Sequence, residues 1–180
     1  FYLKQLQNIS AWRGSLVDNI IENYIVPTLK KHKVPSIEDT LERMEKIWNK
    51  QLVFAQEKRY RNPKIVKSEH ENEYCALYDI EYNSNLNEQD LIKAKNDVKN
   101  ALNNLLQSNL ITNLIEDANY IVAQRFLSYK FDDDIRIICV PDLIVFSKKD
   151  PPFIIDWKVH SFGNKDARLQ LGLYAFVLSK

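Results

Sequence analysis

Glycine, cysteine and methionine are scarce in this chain of 180 residues, which contains three, two and one of them. Three scattered glycines exclude a glycine-rich linker and a collagen-like repeat. Cys75 and Cys139 alone exclude a disulfide framework, and their separation excludes the paired spacing of a cysteine zinc site. We therefore expect an intracellular, reducing setting, either cytoplasmic or nucleoid-associated.

Long apolar runs and an excess of one charge are also missing. No apolar stretch approaches the roughly 20 residues of a transmembrane helix, so we expect no membrane contact. The 25 Lys and Arg residues nearly balance 24 Asp and Glu residues, for a net charge of +1. Any binding to nucleic acid must therefore use a local basic patch.

Hydrophobic periodicity divides the chain into a helical part and a strand-rich part. The pattern predicts helices over residues 1–30, 36–54, 69–80 and 88–109. It then predicts strands over 121–131, 135–146 and 153–160, followed by a helix over 166–180. This order gives a single α/β domain, with a helical insertion over about 36–118 and a β–β–β–α unit over about 120–180. Because the chain begins at Phe1 and ends inside a predicted helix, we expect a fragment of a longer protein.

The last forty residues carry the most informative pattern. Asp142 lies within an apolar run, directly after Pro141, and Asp156 and Lys158 lie two apart in the next run. Side chains at i and i+2 of a strand share a face, and pairing of the two runs as a hairpin would bring Asp142 to that face. Two carboxylates and an ammonium group there suit a divalent metal and a phosphodiester.

The following helix adds Gln170-x-x-x-Tyr174, whose two side chains share a face of the helix. The whole string resembles the PD-(D/E)XK nuclease superfamily, and within it the RecB-like branch. The resemblance implies a restriction-endonuclease-like α-βββ-α core with a mixed sheet. It also implies a metal-dependent deoxyribonuclease that acts in recombination, repair or phage defence.

The resemblance assigns roles to single residues. Asp142 and Asp156 are expected to bind Mg²⁺ or Mn²⁺ with the backbone carbonyl of Trp157, and Lys158 to orient water or stabilise charge. Gln170 and Tyr174 are expected to complete the catalytic set. DNA is the expected partner, with a helicase or sensor domain in the same chain or complex. Some members also hold an iron–sulfur cluster, through cysteines that would lie outside these residues.

Two positions depart from the pattern of that branch. Asp18 stands on the first predicted helix where the branch has a metal-binding His, and an Asp remains an oxygen ligand for Mg²⁺ or Mn²⁺. Gln124 stands near the first predicted strand, where a further acidic residue is expected. Both departures favour an alternative, a catalytically inactive nucleic-acid-binding or scaffold domain on the same fold.

Simpler interpretations remain for each motif. An Asp-x-Lys pair is often a surface ion pair, and a Gln and a Tyr four residues apart are ordinary on an amphipathic helix. A helical interaction domain without any nucleic-acid role is the third interpretation. Residues 58–64 form a basic run that includes Tyr60. Such a run suits the groove of a single-strand binding protein, where aromatic rings stack on bases.

Overall fold

The computed structural model describes residues 2–70, 72–82, 87–109, 113, 118–157 and 164–180. The chain divides into two units. The first comprises Phe1–Ile25 and Pro35–Gln107, and the second comprises Val26–Val34 and Ser108–Lys180. No helix in the described ranges combines the length and the apolar character that crossing a bilayer requires.

The helices and strands are named in chain order. The helices are α1 (Ile9–Ile20), α2 (Val26–Leu29), α3 (Ile37–Gln56), α4 (Tyr78–Glu81), α5 (Glu88–Leu106) and α6 (Asn164–Leu178). A π-helical turn, Ile21–Ile25, joins α1 to α2, and short 3₁₀ turns occupy Tyr2–Gln5, Arg59–Arg61 and Lys67–Glu69. The strands are β1 (Ala118–Ala123), β2 (Leu127–Lys130), β3 (Arg136–Cys139), β4 (Leu143–Ser147) and β5 (Phe153–Ile155).

Side-chain caps fix where the long helices of the first unit begin. Asn8, Ser36 and Asn87 each accept a hydrogen bond from the backbone three residues later, and so precede α1, α3 and α5. This bond satisfies one of the free N–H groups of the first turn. The predicted start of the second helix at Ser36 is therefore confirmed.

Aromatic packing joins α1 to α3 in the core of the first unit. The rings of Trp12 and Trp48 stack with centroids 4.1 Å apart, and Met44 on α3 is fully buried. The Trp12 indole N–H donates to the Gln51 side chain at 2.6 Å, so the buried polar atom of the tryptophan is satisfied. The apolar stripe of α5 closes the same core with Val98 and Leu102.

The predicted helix over residues 69–80 is wrong. Four consecutive residues, 74–77, are buried, whereas a helix on a surface buries only one face. This segment is extended and forms a parallel bridge between Gln7 and Leu77. The Gln7 N–H donates to the Ala76 carbonyl at 2.9 Å, and the Tyr78 N–H donates to the Gln7 carbonyl at 3.0 Å. Helix appears only afterwards, as α4.

Antiparallel pairing builds the sheet of the second unit. Its strand order is β1-β4-β5, and β2 and β3 form a separate hairpin. Leu143, Ile144 and Val145 on the central strand are each 1% exposed, so both faces of β4 are covered. α6 packs on β2, β3 and β5 around a core of Cys139, Tyr174 and Val177. The predicted α/β class is confirmed.

Each of the first two predicted strands is in fact two strands. The first breaks at Gln124, whose φ of 49° is left-handed and cannot continue a strand. The second breaks between β3 and β4 at Pro141, which has no N–H for the ladder. The last predicted strand is present as β5, and its final residues, 158–160, lie outside the described ranges.

Candidate active site

The β4–β5 hairpin brings the two predicted carboxylates to one edge of the sheet. Leu143 pairs with Ile155, so Asp142 directly precedes one strand and Asp156 directly follows the other. The Trp157 backbone N–H donates to Asp142 Oδ2 at 3.0 Å, which fixes one carboxylate against the segment that carries the other. Both aspartates are partly exposed. The expected hairpin therefore exists, and its open end carries the acidic pair.

Gln124 makes a second contact with the Asp142 carboxylate. The turn after β1 gives Gln124 its left-handed backbone, and its N–H donates to the Asp142 carbonyl at 3.1 Å. Its side-chain amide also approaches Asp142 Oδ1, at 3.4 Å. The amide therefore lies beside Asp142, and the replacement of a family carboxylate at position 124 stays a prediction. The sequence pattern predicted one long strand across this turn, because nothing in that pattern marks a residue with a left-handed backbone.

Helix α6 contributes Gln170 and Tyr174 to the second carboxylate. The Gln170 amide nitrogen donates to Asp156 Oδ1 at 3.3 Å and also donates to the Tyr174 hydroxyl oxygen. Tyr174 is 8% exposed and packs with Cys139 and Val177, so its hydroxyl is a fixed point for the amide. The two side chains therefore form a chain of hydrogen bonds that ends on the carboxylate of Asp156.

A family model provides the comparison that decides the family. The model of the PD-(D/E)XK nuclease superfamily matches residues 2–180. The chain belongs to the PD-(D/E)XK nuclease superfamily. A search of curated proteins finds no match, and a search of solved structures finds none either. The resemblance seen in the sequence is confirmed at the level of the superfamily, and membership in the superfamily points to nuclease activity.

The PD-(D/E)XK lysine is predicted at Lys158, which lies outside the described residues. Its neighbour Trp157 is described, and its backbone N–H makes the bond to Asp142 given above. The indole nitrogen of Trp157 is buried and has no hydrogen-bond partner within the described chain. The role predicted for the Trp157 carbonyl stays a prediction.

PD-(D/E)XK nucleases typically use divalent metals, and the donor set here fits such an ion. Mg²⁺ prefers oxygen ligands and is commonly held by one or two carboxylates together with waters and substrate phosphates. Asp142 and Asp156 supply that number of carboxylates. The hydrogen bonds from Gln124 and Trp157 orient the carboxylate of Asp142, and the hydrogen bond from Gln170 orients the carboxylate of Asp156. The described residues contain no group of three or more metal-ligating side chains.

Asp18, the predicted further ligand, belongs to the first unit and is exposed on α1. The π-helical turn begins three residues later at Ile21. Such turns, which insert one extra residue into a helix, are frequent at functional sites. The ligand role of Asp18 stays a prediction.

The basic run at residues 58–64 does not form the expected stacking groove. Tyr60 is 3% exposed, and its hydroxyl donates to Glu81 at 2.9 Å. Arg61 donates to the same carboxylate through Nε at 3.0 Å and Nη2 at 2.8 Å. Tyr2 donates a further bond at 2.9 Å. The aromatic ring and the guanidinium are therefore used to satisfy one buried acid, and the ring cannot stack on a base.

Proposed function

We propose that this chain is a metal-dependent deoxyribonuclease of the RecB-like type, which hydrolyses DNA phosphodiester bonds. The observation that carries the proposal is the contact between Gln170 and Asp156. In the resembled branch, the Gln-x-x-x-Tyr helix faces the active site. An active site of this type therefore requires a contact such as the one between Gln170 on α6 and Asp156, which follows β5.

Each residue of the site has a distinct proposed task. Asp142 and Asp156 would hold the divalent ion, Mg²⁺ or Mn²⁺, together with the Trp157 carbonyl. Such an ion would supply the Lewis-acid chemistry that activates water and neutralises charge on the phosphate. Lys158 orients the attacking water and stabilises the negative charge that develops on the phosphate oxygens. Hydrolysis proceeds without a covalent enzyme intermediate.

Gln124 and Gln170 are proposed as positioning residues. Each donates an amide hydrogen to one of the two carboxylates, at 3.4 and 3.3 Å, so each limits the rotation of its partner. Partners of this kind typically change metal affinity or activity by about 10- to 100-fold when they are removed.

The biological setting that we propose is recombination, repair or phage defence. In such a setting a helicase or a sensor domain, in the same chain or complex, would deliver the DNA to the nuclease. Asp18 is proposed as a further ligand for the metal, in place of the His of the branch.

A catalytically inactive nucleic-acid-binding domain is the second candidate. The observation that favours it is the contact of Gln124 with Asp142. The resemblance implies a further acidic residue near the first strand, and this chain has a neutral amide at position 124. A neutral carbonyl is a weaker ligand for a hard divalent ion than a carboxylate. The two candidates differ in one measurable property, which is metal-dependent cleavage.

The test is a cleavage assay on linear single-stranded, linear duplex and closed circular DNA, with EDTA, Mg²⁺ or Mn²⁺. Asp156→Ala and Lys158→Ala are compared with Asp150→Ala, a matched control at an exposed aspartate in the same hairpin. We expect metal-dependent cleavage that both site variants abolish and the control retains. Cleavage by Asp156→Ala at the parent rate would refute the assigned roles. DNA binding without cleavage under every condition would favour the inactive domain.

A further inference from the structure

A groove of about 340 Å³ lies on the first unit, between α3 and the π-helical turn. Arg43, Lys46 and Lys50 line one side of it. They are spaced three and four residues apart on α3, so they share one face of the helix. No carboxylate is among the described residues that line this groove. Three cations therefore line the groove, while the acids that pair with two of them lie outside its lining.

The acidic partners of these lysines lie outside the groove and hold them weakly. Lys46 pairs with Glu42, and both side chains are more than 60% exposed. Lys50 pairs with Glu73 at 2.9 Å, and its side chain is 59% exposed. Exposed ion pairs contribute about 0–1 kcal/mol each, so an incoming phosphate can take over either lysine at little cost.

Arg43 presents a flat cationic surface in the same groove. Its guanidinium lies over the ring of Tyr24, 4.3 Å from the ring centroid. The tyrosine ring holds the guanidinium in place, and the Arg43 side chain remains exposed. Guanidinium planes and aromatic rings are the groups on which unpaired bases stack.

Asn19 lines the same groove and carries a buried acceptor without a partner among the described residues. Its amide nitrogen donates to Asn72 at 3.2 Å, while its side-chain oxygen is buried and accepts no hydrogen bond from the part of the chain that is described. A buried acceptor without a partner costs about 1–3 kcal/mol. A ligand that displaces the atoms covering this oxygen and donates a hydrogen bond to it would remove that cost. Phosphodiesters carry no such donor, whereas unpaired bases carry N–H donors on their exposed edges.

We propose that this groove binds a single strand of nucleic acid. The three cations contact successive phosphates, Arg43 supports a base, and Asn19 accepts a hydrogen bond from a base edge. A duplex fits these features poorly, because its Watson–Crick edges are already paired and its base faces are already stacked on one another. The inference rests on the proposed function for its substrate class, and it adds a binding surface that the catalytic residues do not include.

The first test measures the salt dependence of binding. The probe is a fluorescein-labelled 20-nucleotide thymidine strand, and anisotropy is read in EDTA between 50 and 200 mM salt. Arg43→Ala/Lys46→Ala/Lys50→Ala is compared with Lys4→Ala/Lys64→Ala/Lys93→Ala, which removes the same charge from exposed positions outside the groove.

Each phosphate contact on a single strand contributes about 0.7 to the slope of log K against log salt. We therefore expect the slope of log K against log salt to be about 2 smaller in magnitude for the groove variant than for the parent. Over this salt range the parent should consequently weaken about 15- to 20-fold more than the groove variant. The control variant should keep the parent slope. Equal loss in both triple variants would overturn the proposal.

The second test separates the base contact from the charge. Asn19→Ala should weaken binding of the thymidine strand about fivefold, the value of one ordinary hydrogen bond, with an unchanged salt slope. Asn100→Ala, at an exposed asparagine on α5, is the matched control. Circular dichroism and urea unfolding of each variant identify any loss that arises from misfolding. A parent that binds a 20-base-pair duplex more tightly than the single strand would overturn the single-strand assignment.

Failure of the two proposals can be told apart, because binding is measured in EDTA and cleavage is measured with metal. A parent that binds through the groove without cutting contradicts the deoxyribonuclease and supports the groove. A groove variant that binds like the parent, in a chain that cuts DNA, contradicts the groove alone.

Discussion

The buried acid Glu81 permits a quantitative prediction about stability. It accepts hydrogen bonds from two tyrosine hydroxyls and two from the guanidinium of Arg61, and its side chain is 6% exposed. The hydrogen bonds from Arg61 are the largest cause that lowers its pKa, from 4.5 to about 2, against the opposing effect of burial. The change to test is Glu81→Gln, which removes the charge and keeps the shape.

The sign and size follow from the direction of that shift. A carboxyl whose pKa is lower in the folded state adds stability above its unfolded pKa and loses it as the pH falls through the folded value. The shift of Glu81 corresponds to at most about 3 kcal/mol. Because the Arg61 side chain is 48% exposed, solvent screens the pair. We therefore expect Glu81→Gln to lose about 1–2 kcal/mol at pH 7.

Urea unfolding at constant ionic strength, between pH 7 and pH 3, measures the difference in unfolding free energy between the parent and Glu81→Gln. We expect it to be constant above about pH 5.5 and to fall to about half by pH 3. Glu57→Gln is the matched control. Glu57 also pairs with an arginine, Arg59, but both of these side chains are about half exposed. The control should change stability by less than about 1 kcal/mol. Equal, pH-independent losses in the two variants would refute the reasoning.

Three further predictions concern the hydrogen bonds around the carboxylates. Gln170→Met removes the amide donor to Asp156 and should lower the metal-dependent cleavage rate about 10- to 100-fold, read from a Mg²⁺ titration. Tyr174→Phe keeps the buried ring and should cost less than about 1.5 kcal/mol of unfolding free energy, yet lower cleavage about tenfold because the amide loses its second partner. Gln124→Met should raise the half-saturating Mg²⁺ concentration up to about tenfold, because Asp142 loses a side-chain donor while its backbone bond to residue 124 remains.

Arg168→Met is a suitable control for these variants. Arg168 is exposed on α6, two residues before Gln170, and so projects from a different face of the helix. Cleavage that falls equally in Arg168→Met and Gln170→Met would show that the helix surface, and not the amide, is responsible. Unchanged metal dependence in Gln124→Met would contradict its positioning role.

The sequence predicted the hairpin and the start of α3 well, because local chemistry alone decides these two features. The apolar runs on either side of the turn at Pro151 predicted the hairpin, and its register sets Asp142 and Asp156 together. Ser36 predicted the start of α3, because a side-chain cap acts within one turn. These features need only neighbours in the chain.

The features that the sequence missed depend on contacts that are distant in the chain. The sequence suggested that Tyr60 is a surface aromatic in a basic run. Its ring is in fact buried, and its hydroxyl donates to Glu81, 21 residues later. Residues 74–77 looked helical, yet pairing with Gln7 makes them extended. The left-handed turn at Gln124 is held by the Asp142 backbone, 18 residues away. No local pattern encodes any of these three partners.

Tyr174 shows how the core and the site are connected in the second unit. Its ring is buried with Cys139 and Val177, so packing sets its position before any ligand binds. Its hydroxyl then fixes the Gln170 amide, and that amide fixes the carboxylate of Asp156. A change in core packing therefore alters the direction of a carboxylate two contacts away. For this reason the loss of the Tyr174 hydroxyl should affect cleavage more than stability, whereas loss of its ring should affect both.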